Sequence, residues 1–126
     1  MTPRALMTAN AILLGTVGAA FLFLPFELGS LVVRHAAPVE PALVQLWGAA
    51  LLGLAAMSWI GRGLVLGGIY ARALVLGNLV HWMVGAFVVL RVVIDGGLGA
   101  PAWAALAVFA PMTAGFAWLL RRHPGQ

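Results

Sequence analysis

The stretch that decides the fold is ALVLGNLVHWMVGAFVVL, residues 73–90, which lies between Arg72 and Arg91. Its 18 residues carry no charge. At 1.5 Å per residue such a helix is about 27 Å long, close to the thickness of the hydrocarbon core of a bilayer. Two polar side chains, Asn78 and His81, stand near its middle. The stretch therefore predicts a transmembrane helix with polar groups at its centre.

Three further segments of similar length and composition surround this one. The four predicted spans are 8–26, 42–60, 69–92 and 98–120. The third of these includes Arg72 and Arg91. The chain of 126 residues is 63% hydrophobic and 8% charged, whereas a soluble domain carries about 25% charged residues. This composition excludes a soluble enzyme or binding module. We expect an all-α, four-helix transmembrane bundle in which residues 1–126 form a single integral membrane domain.

The first segment also has features of a secretory signal peptide. Arg4 precedes the apolar run, and Gly18, Ala19 and Ala20 resemble a cleavage site. The apolar run continues beyond that point through residues 21–24, which favours a retained transmembrane helix. Cleavage would leave three spans.

The arginines predict the orientation of the spans. Four spans with both termini on one side place five of the seven arginines there, and Arg34, Arg91 and the three acidic residues on the other side. This bias predicts cytoplasmic N and C termini. Arginines near span ends also anchor helices or contact lipid headgroups. The candidates for that role are Arg62, Arg72, Arg91, Arg121 and Arg122.

His81 is the main candidate functional residue because it lies midway between Arg72 and Arg91. Hydrocarbon offers a polar group no hydrogen-bond partner, so the protein has to supply one. One interpretation is a ligand, ion or proton site; the other is a hydrogen bond from neutral His81 to Gln45 or Ser58 on a neighbouring helix. The candidates for a ligand site or a transport path are His81, Asn78, Tyr70, Trp82 and Gln45.

The sequence contains no pattern typical of catalysis or metal binding. It has no cysteine, and none of its acidic residues lies within a predicted span. His81 is the one histidine at membrane depth, which does not provide two axial haem ligands within one chain. The arginines are scattered singly, unlike the basic stripe of a nucleic-acid-binding protein. We expect no catalytic residues, no cofactor, no metal and no nucleic-acid partner.

Small residues recur at four-residue spacing, which lets transmembrane helices approach closely. Such contacts serve packing within one molecule or between molecules, and the sequence leaves both open. Pro111 is expected to kink the fourth span by freeing the carbonyl of Ala107, with Thr113 bonding a backbone group nearby. The small-residue stripes are Ala11, Gly15 and Ala19 in the first span, Ala49 and Gly53 in the second, and Gly77 and Gly85 in the third.

The whole chain resembles small bacterial four-helix integral membrane proteins of the domain-of-unknown-function type. The residues that carry the resemblance are Phe23-Leu24-Pro25, the segment LWGAALLG at 46–53, and Arg72 with His81. The resemblance implies a location in the bacterial inner (cytoplasmic) membrane. It implies no activity and assigns no site residues.

These observations favour a non-enzymatic function. We expect a helix-packing or accessory subunit in the lipid bilayer that self-associates or joins a larger membrane complex. One alternative is a homo-oligomeric transporter or channel with His81 and Asn78 lining the path. Another is a binding pocket for an apolar ligand (a quinone, lipid or pigment) closed by Trp82, Tyr70 and the bend at Pro111. A lipid-acting enzyme is the weakest alternative, because one histidine without a deep acid is a poor catalytic set.

Overall fold

The computed structural model describes residues 2–32, 40–63, 68–96 and 99–121. Within these ranges the chain is helical throughout its regular structure, with no strand pairing into a sheet, so the predicted all-α fold is confirmed. The described helices are α1 (Pro3–Phe23), α2 (Pro25–Val32), α3 (Pro41–Gly61), α4 (Ile69–Ile94) and α5 (Ala100–Arg121).

Four of these helices, α1, α3, α4 and α5, are long and apolar enough to cross a membrane. They have 21, 21, 26 and 22 residues, and about 20 are needed to span the hydrocarbon core. Each overlaps one of the four predicted spans. The length and composition of these helices indicate a membrane protein.

The first helix ends earlier than the predicted boundary at Phe26. Pro25 disfavours helical geometry at the residue before it, and Leu24 leaves the helix with φ −124° and ψ 47°. Its N–H still bonds the carbonyl of Ala20, at 2.8 Å. Pro25 then occupies the first position of α2, where its missing N–H costs nothing. The prolines and Thr2, whose hydroxyl accepts a hydrogen bond from the N–H of Ala5 at 3.2 Å, thus set both ends of α1.

The structure divides into two compact units, residues 1–62 and 63–126. In the first unit α1 and α3 pack side by side, and α2 contacts both. Their register is antiparallel, because Gly18 lies against Gly48 and Gly15 lies against Ala55. A Cβ built on Gly48 would stand 2.7 Å from the carbonyl oxygen of Gly18. Only glycine allows the two backbones to approach this closely.

In the second unit α4 packs against α5. The ring of Phe109 lies directly on Gly85, where any side chain would collide with it. Helix α5 continues through Pro111, and the hydroxyl of Thr113 donates a 2.8 Å hydrogen bond to the carbonyl of Phe109. The expected bond from Thr113 to the backbone near the proline is therefore present. That residues 1–126 form a single domain stays a prediction.

Candidate functional site

An aromatic cluster surrounds His81 in the second unit. The centroid of the His81 ring lies 5.1 Å from that of Trp82, in an edge-to-face arrangement, and 6.4 Å from that of Phe109. Trp82 and Phe109 themselves meet edge to face at 4.9 Å between centroids. Edge-to-face contacts at these distances are favourable because a ring's positive edge meets its neighbour's negative face. We name these three residues the α4–α5 aromatic cluster.

Local sequence explains how this cluster forms. Gly85 lies one turn after His81 and Trp82, and its lack of a side chain admits the ring of Phe109 from α5. Trp82 points into the protein and is only 2% exposed, while His81 is half-buried. His81 therefore lies beside the direct contact between buried Trp82 and Phe109 of α5.

Asn78 lies one turn before His81 and is fully buried. Its side-chain amide donates a 3.0 Å hydrogen bond to the carbonyl of Leu74, one turn earlier on the same helix. This bond satisfies part of the hydrogen-bonding capacity of the amide, which would find no partner in lipid. Asn78 and His81 are thus neighbours on α4, as predicted, with Asn78 the more deeply buried of the two.

The partners proposed for His81 have hydrogen bonds elsewhere. Gln45 is exposed and its amide donates to the carbonyl of Leu22 at 3.3 Å. Ser58 is fully buried and its hydroxyl accepts a 2.8 Å hydrogen bond from the amide of Asn10. Helix α1 thus provides an acceptor for Gln45 and a donor for Ser58, and a bond from either residue to His81 stays a prediction.

Tyr70 does not join the aromatic cluster. It is 84% exposed in the first turn of α4, eleven residues before His81, or about 16 Å along a helix at 1.5 Å per residue. Eleven residues complete about three helical turns, so Tyr70 and His81 lie on the same face of α4, but their side chains do not meet. A pocket that combines Tyr70 with buried Trp82 receives no support from this placement.

The predicted lipid-contacting arginines differ in their surroundings. Arg72 and Arg121 are exposed. Arg91 is exposed and approaches Asp95 at 3.8 Å, a surface ion pair of small energetic value. Arg62 instead lies over the ring of Trp59, with its guanidinium carbon 3.5 Å from the ring centroid. Arg122 lies outside the described residues.

Asn10 and Ser58 form an interhelical pair that is not among the sequence-based candidates. Both side chains are fully buried in the first unit. The sequence contains an indication of this pair. Asn10 is a polar residue within an apolar span, and its amide needs a hydrogen-bond partner for the same reason as His81. The identity of that partner depends on the α1–α3 register, which the sequence does not specify.

We expect Asn10 and Ser58 to be energetically coupled. Replacing Asn10 by leucine, Ser58 by alanine, and both together forms a double-mutant cycle for the free energy of unfolding. Interhelical hydrogen bonds in membranes contribute about 0.6 kcal/mol on average, with a maximum near 1.7. The expected coupling energy lies in that range. Additive effects of the two substitutions would show that the bond contributes nothing.

The described residues contain no group of three His, Asp or Glu side chains placed to hold a metal ion. The groups that meet in α4 and α5 are an imidazole, an indole and a phenyl ring, with a buried amide one turn away. They provide stacking and hydrogen bonding. Comparison of the chain with family models, curated proteins and solved structures finds no match.

Proposed function

We propose that this chain is a non-enzymatic protein of the bacterial inner membrane, with both termini in the cytoplasm, that associates laterally with a second copy of itself. The observation that carries the proposal is an exposed face of small residues on α3. The likeness to small four-helix membrane proteins of bacteria is consistent with that location.

The residues of this exposed face alternate at intervals of four and three along α3, which places them on one side of the helix. All its members are exposed, and a Cβ on Gly53 would meet nothing within 4 Å. The opposite side of α3 packs on α1 through Gly48, Ala55 and Ser58. We name this surface the α3 small-residue face; it comprises Ala42, Leu46, Ala49, Gly53, Ala56 and Ile60.

The small-residue stripes of the chain have different surroundings. In α1, Gly15 lies 3.7 Å from the Cβ of Ala55 and Gly18 lies against Gly48, so this stripe packs within the first unit. In α3, Ala49 and Gly53 point away from α1 and are exposed. Their exposure supports a role between molecules.

The hydrophobic effect does not drive helices together within a membrane, because acyl chains are as apolar as leucine. Helices associate in membranes where small residues let backbones come close and gain dispersion contacts. The α3 small-residue face has this character from Ala49 through Gly53 to Ala56, about two turns. Two copies meeting there by a twofold axis would each contribute the same surface, as most soluble homodimers do.

The charges at the helix ends support the proposed orientation. The antiparallel register places Arg4 and Arg62 at one end of the α1–α3 pair, and Glu27 and Glu40 at the other. In the α4–α5 pair, Arg72 and Arg121 share one end. An end that carries only arginine is typical of the cytoplasmic side of a membrane protein.

Cysteine cross-linking tests the self-association directly, because the chain has no native cysteine. We expect Ala49→Cys on the α3 small-residue face to form a disulfide-linked dimer in native membranes under mild oxidation. Leu76→Cys, exposed on α4, is the control and should remain monomeric.

A second substitution tests the role of the small side chain. Gly53→Ile in the Ala49→Cys background should lower the cross-linked fraction by about tenfold, equivalent to about 1.4 kcal/mol. The matched control is Gly77→Ile, since a Cβ at Gly77 also meets nothing within 4 Å. Equal cross-linking of Leu76→Cys and Ala49→Cys, or no effect of Gly53→Ile, would contradict the proposed interface.

A further inference from the structure

Arg62, directly after α3, is held in place on an aromatic ring. Its guanidinium lies 3.5 Å above the centroid of Trp59, one helical turn earlier. Its Nη1 atom is buried and has no hydrogen-bond partner among the described residues. A buried donor without an acceptor is unfavourable, so the guanidinium has unused capacity to bind an acceptor.

Within its first unit, the chain places no described carboxylate near Arg62. Its only acidic residues are Glu27, Glu40 and Asp95. Glu40 precedes α3 and is separated from Arg62 by the whole helix, roughly 33 Å at 1.5 Å per residue. Glu27 lies with Glu40 at the far end of the α1–α3 pair, and Asp95 approaches Arg91. Within the first unit, neither described glutamate is placed to pair with Arg62, and the phosphates of the surrounding lipid are the anions that its position makes available.

The position of Arg62 along the helix indicates which anion is available. Arg62 directly follows the last residue of α3, a helix long enough to cross the hydrocarbon core. Such a residue lies at the depth of the lipid headgroups, where tryptophan is also common. Arg4 lies at the same end of the α1–α3 pair and adds positive charge, as does the N-terminal end of α1.

We propose that Arg62 and Trp59 form a binding site for the phosphate of an anionic phospholipid on the cytoplasmic side. Trp59 covers one flat face of the guanidinium. Because Arg62 is only part-buried, a phosphate would approach its accessible edge, and a small rotation of the side chain would bring Nη1 to the same acceptor. Arginine suits this role because its planar fork of donors matches phosphate geometry. The site is independent of the proposed self-association, since it lies at the end of α3 and uses none of the residues of the α3 small-residue face.

Native mass spectrometry of protein released from nanodiscs tests this site. The nanodiscs contain equal amounts of phosphatidylglycerol and phosphatidylcholine, and the measured quantity is the amount of each lipid retained per chain. The wild type should retain phosphatidylglycerol in preference. Arg62→Gln should lower that retention by about tenfold, whereas Arg72→Gln, which makes the same charge change at an exposed residue, should leave it within about twofold.

Trp59→Leu and Arg62→Lys keep the positive charge and test the geometry. Trp59→Leu should lower retention by about threefold through loss of the cation–π contact, and Arg62→Lys should lower it through loss of the fork. All variants are compared at wild-type helicity by circular dichroism. If these two charge-preserving variants retain as much phosphatidylglycerol as the wild type, the site is wrong.

Two further results would also overturn the proposal. An equal loss with Arg62→Gln and Arg72→Gln would mean that lipid is held by general charge attraction. Displacement of the lipid by excess inorganic phosphate would identify free phosphate as the ligand instead of a phospholipid. We expect inorganic phosphate to leave lipid retention unchanged.

Discussion

Replacing Gly48 by alanine is expected to lower the free energy of unfolding by about 2–3 kcal/mol, in the upper range for overpacking. The added Cβ would stand 2.7 Å from the carbonyl oxygen of Gly18 and 3.0 Å from the backbone nitrogen of Leu22. Both are backbone atoms, so α1 and α3 have to separate to make room. Unfolding by sodium dodecyl sulfate in mixed micelles, followed by circular dichroism, measures the change.

Gly77→Ala is the matched control for Gly48→Ala. Both glycines lie within helices, but a Cβ on Gly77 meets nothing within 4 Å. Alanine restricts the backbone more than glycine does, which stabilises a helix by about 0.5–1 kcal/mol. The two substitutions should therefore have opposite signs. Similar effects of Gly48→Ala and Gly77→Ala would contradict the close approach of α1 and α3.

Trp82→Ala is expected to lower the free energy of unfolding by about 2–3 kcal/mol. Truncating a large aromatic residue in a water-soluble core costs about 3–5 kcal/mol, of which part is transfer from water. In lipid the transfer part is absent, and the lost contacts and the cavity remain. Trp82 is 2% exposed and touches the rings of His81 and Phe109, so those contacts are lost together.

Trp103→Ala separates the packing effect from the loss of an indole ring. Trp103 lies near the start of α5 and is 62% exposed. Its truncation removes few contacts with the protein, and we expect a change within about 0.5 kcal/mol. If the two tryptophan variants unfold alike in the same titration, Trp82 does not stabilise the α4–α5 aromatic cluster.

The helices could be predicted from sequence because hydrocarbon imposes a simple requirement. Backbone groups have to bond within the segment, and about 20 apolar residues suffice. The α1 boundary was missed although Pro25 marks it, because hydropathy continues to Phe26 while backbone geometry changes at Leu24. Composition located the spans, and proline chemistry decides where this helix ends.

The contacts between helices were less predictable. Gly15, Gly53 and Gly77 look alike in sequence, each in an uninterrupted apolar segment, yet only Gly15 of the three has a neighbour within 4 Å of its Cβ position. These helices are apolar on every side, so no polar face marks the exterior as it does in a soluble protein. For the same reason, the sequence does not predict that Asn10 pairs with Ser58 or that Phe109 packs against Gly85.

The candidate site was predicted in part. Asn78, His81 and Trp82 are neighbours on α4 by their spacing alone, and the structure adds Phe109 from α5. Tyr70 lies at nearly the same angle around the helix axis as His81 but about three turns away along it, so the angle alone does not bring the two side chains together. Among the arginines, Arg62 has a tryptophan three residues earlier and Arg72 has an isoleucine there, but the stacking of the guanidinium on the ring of Trp59 is seen only in the structure.

The antiparallel pairing of α1 with α3 has a consequence for biosynthesis. Its glycine contact and its Asn10–Ser58 hydrogen bond use only residues from the first half of the chain. Domains generally fold as units, N-terminal first, during synthesis. The first hairpin can therefore form while the ribosome is still translating the second, which brings Asn10 and Ser58 together early in membrane insertion.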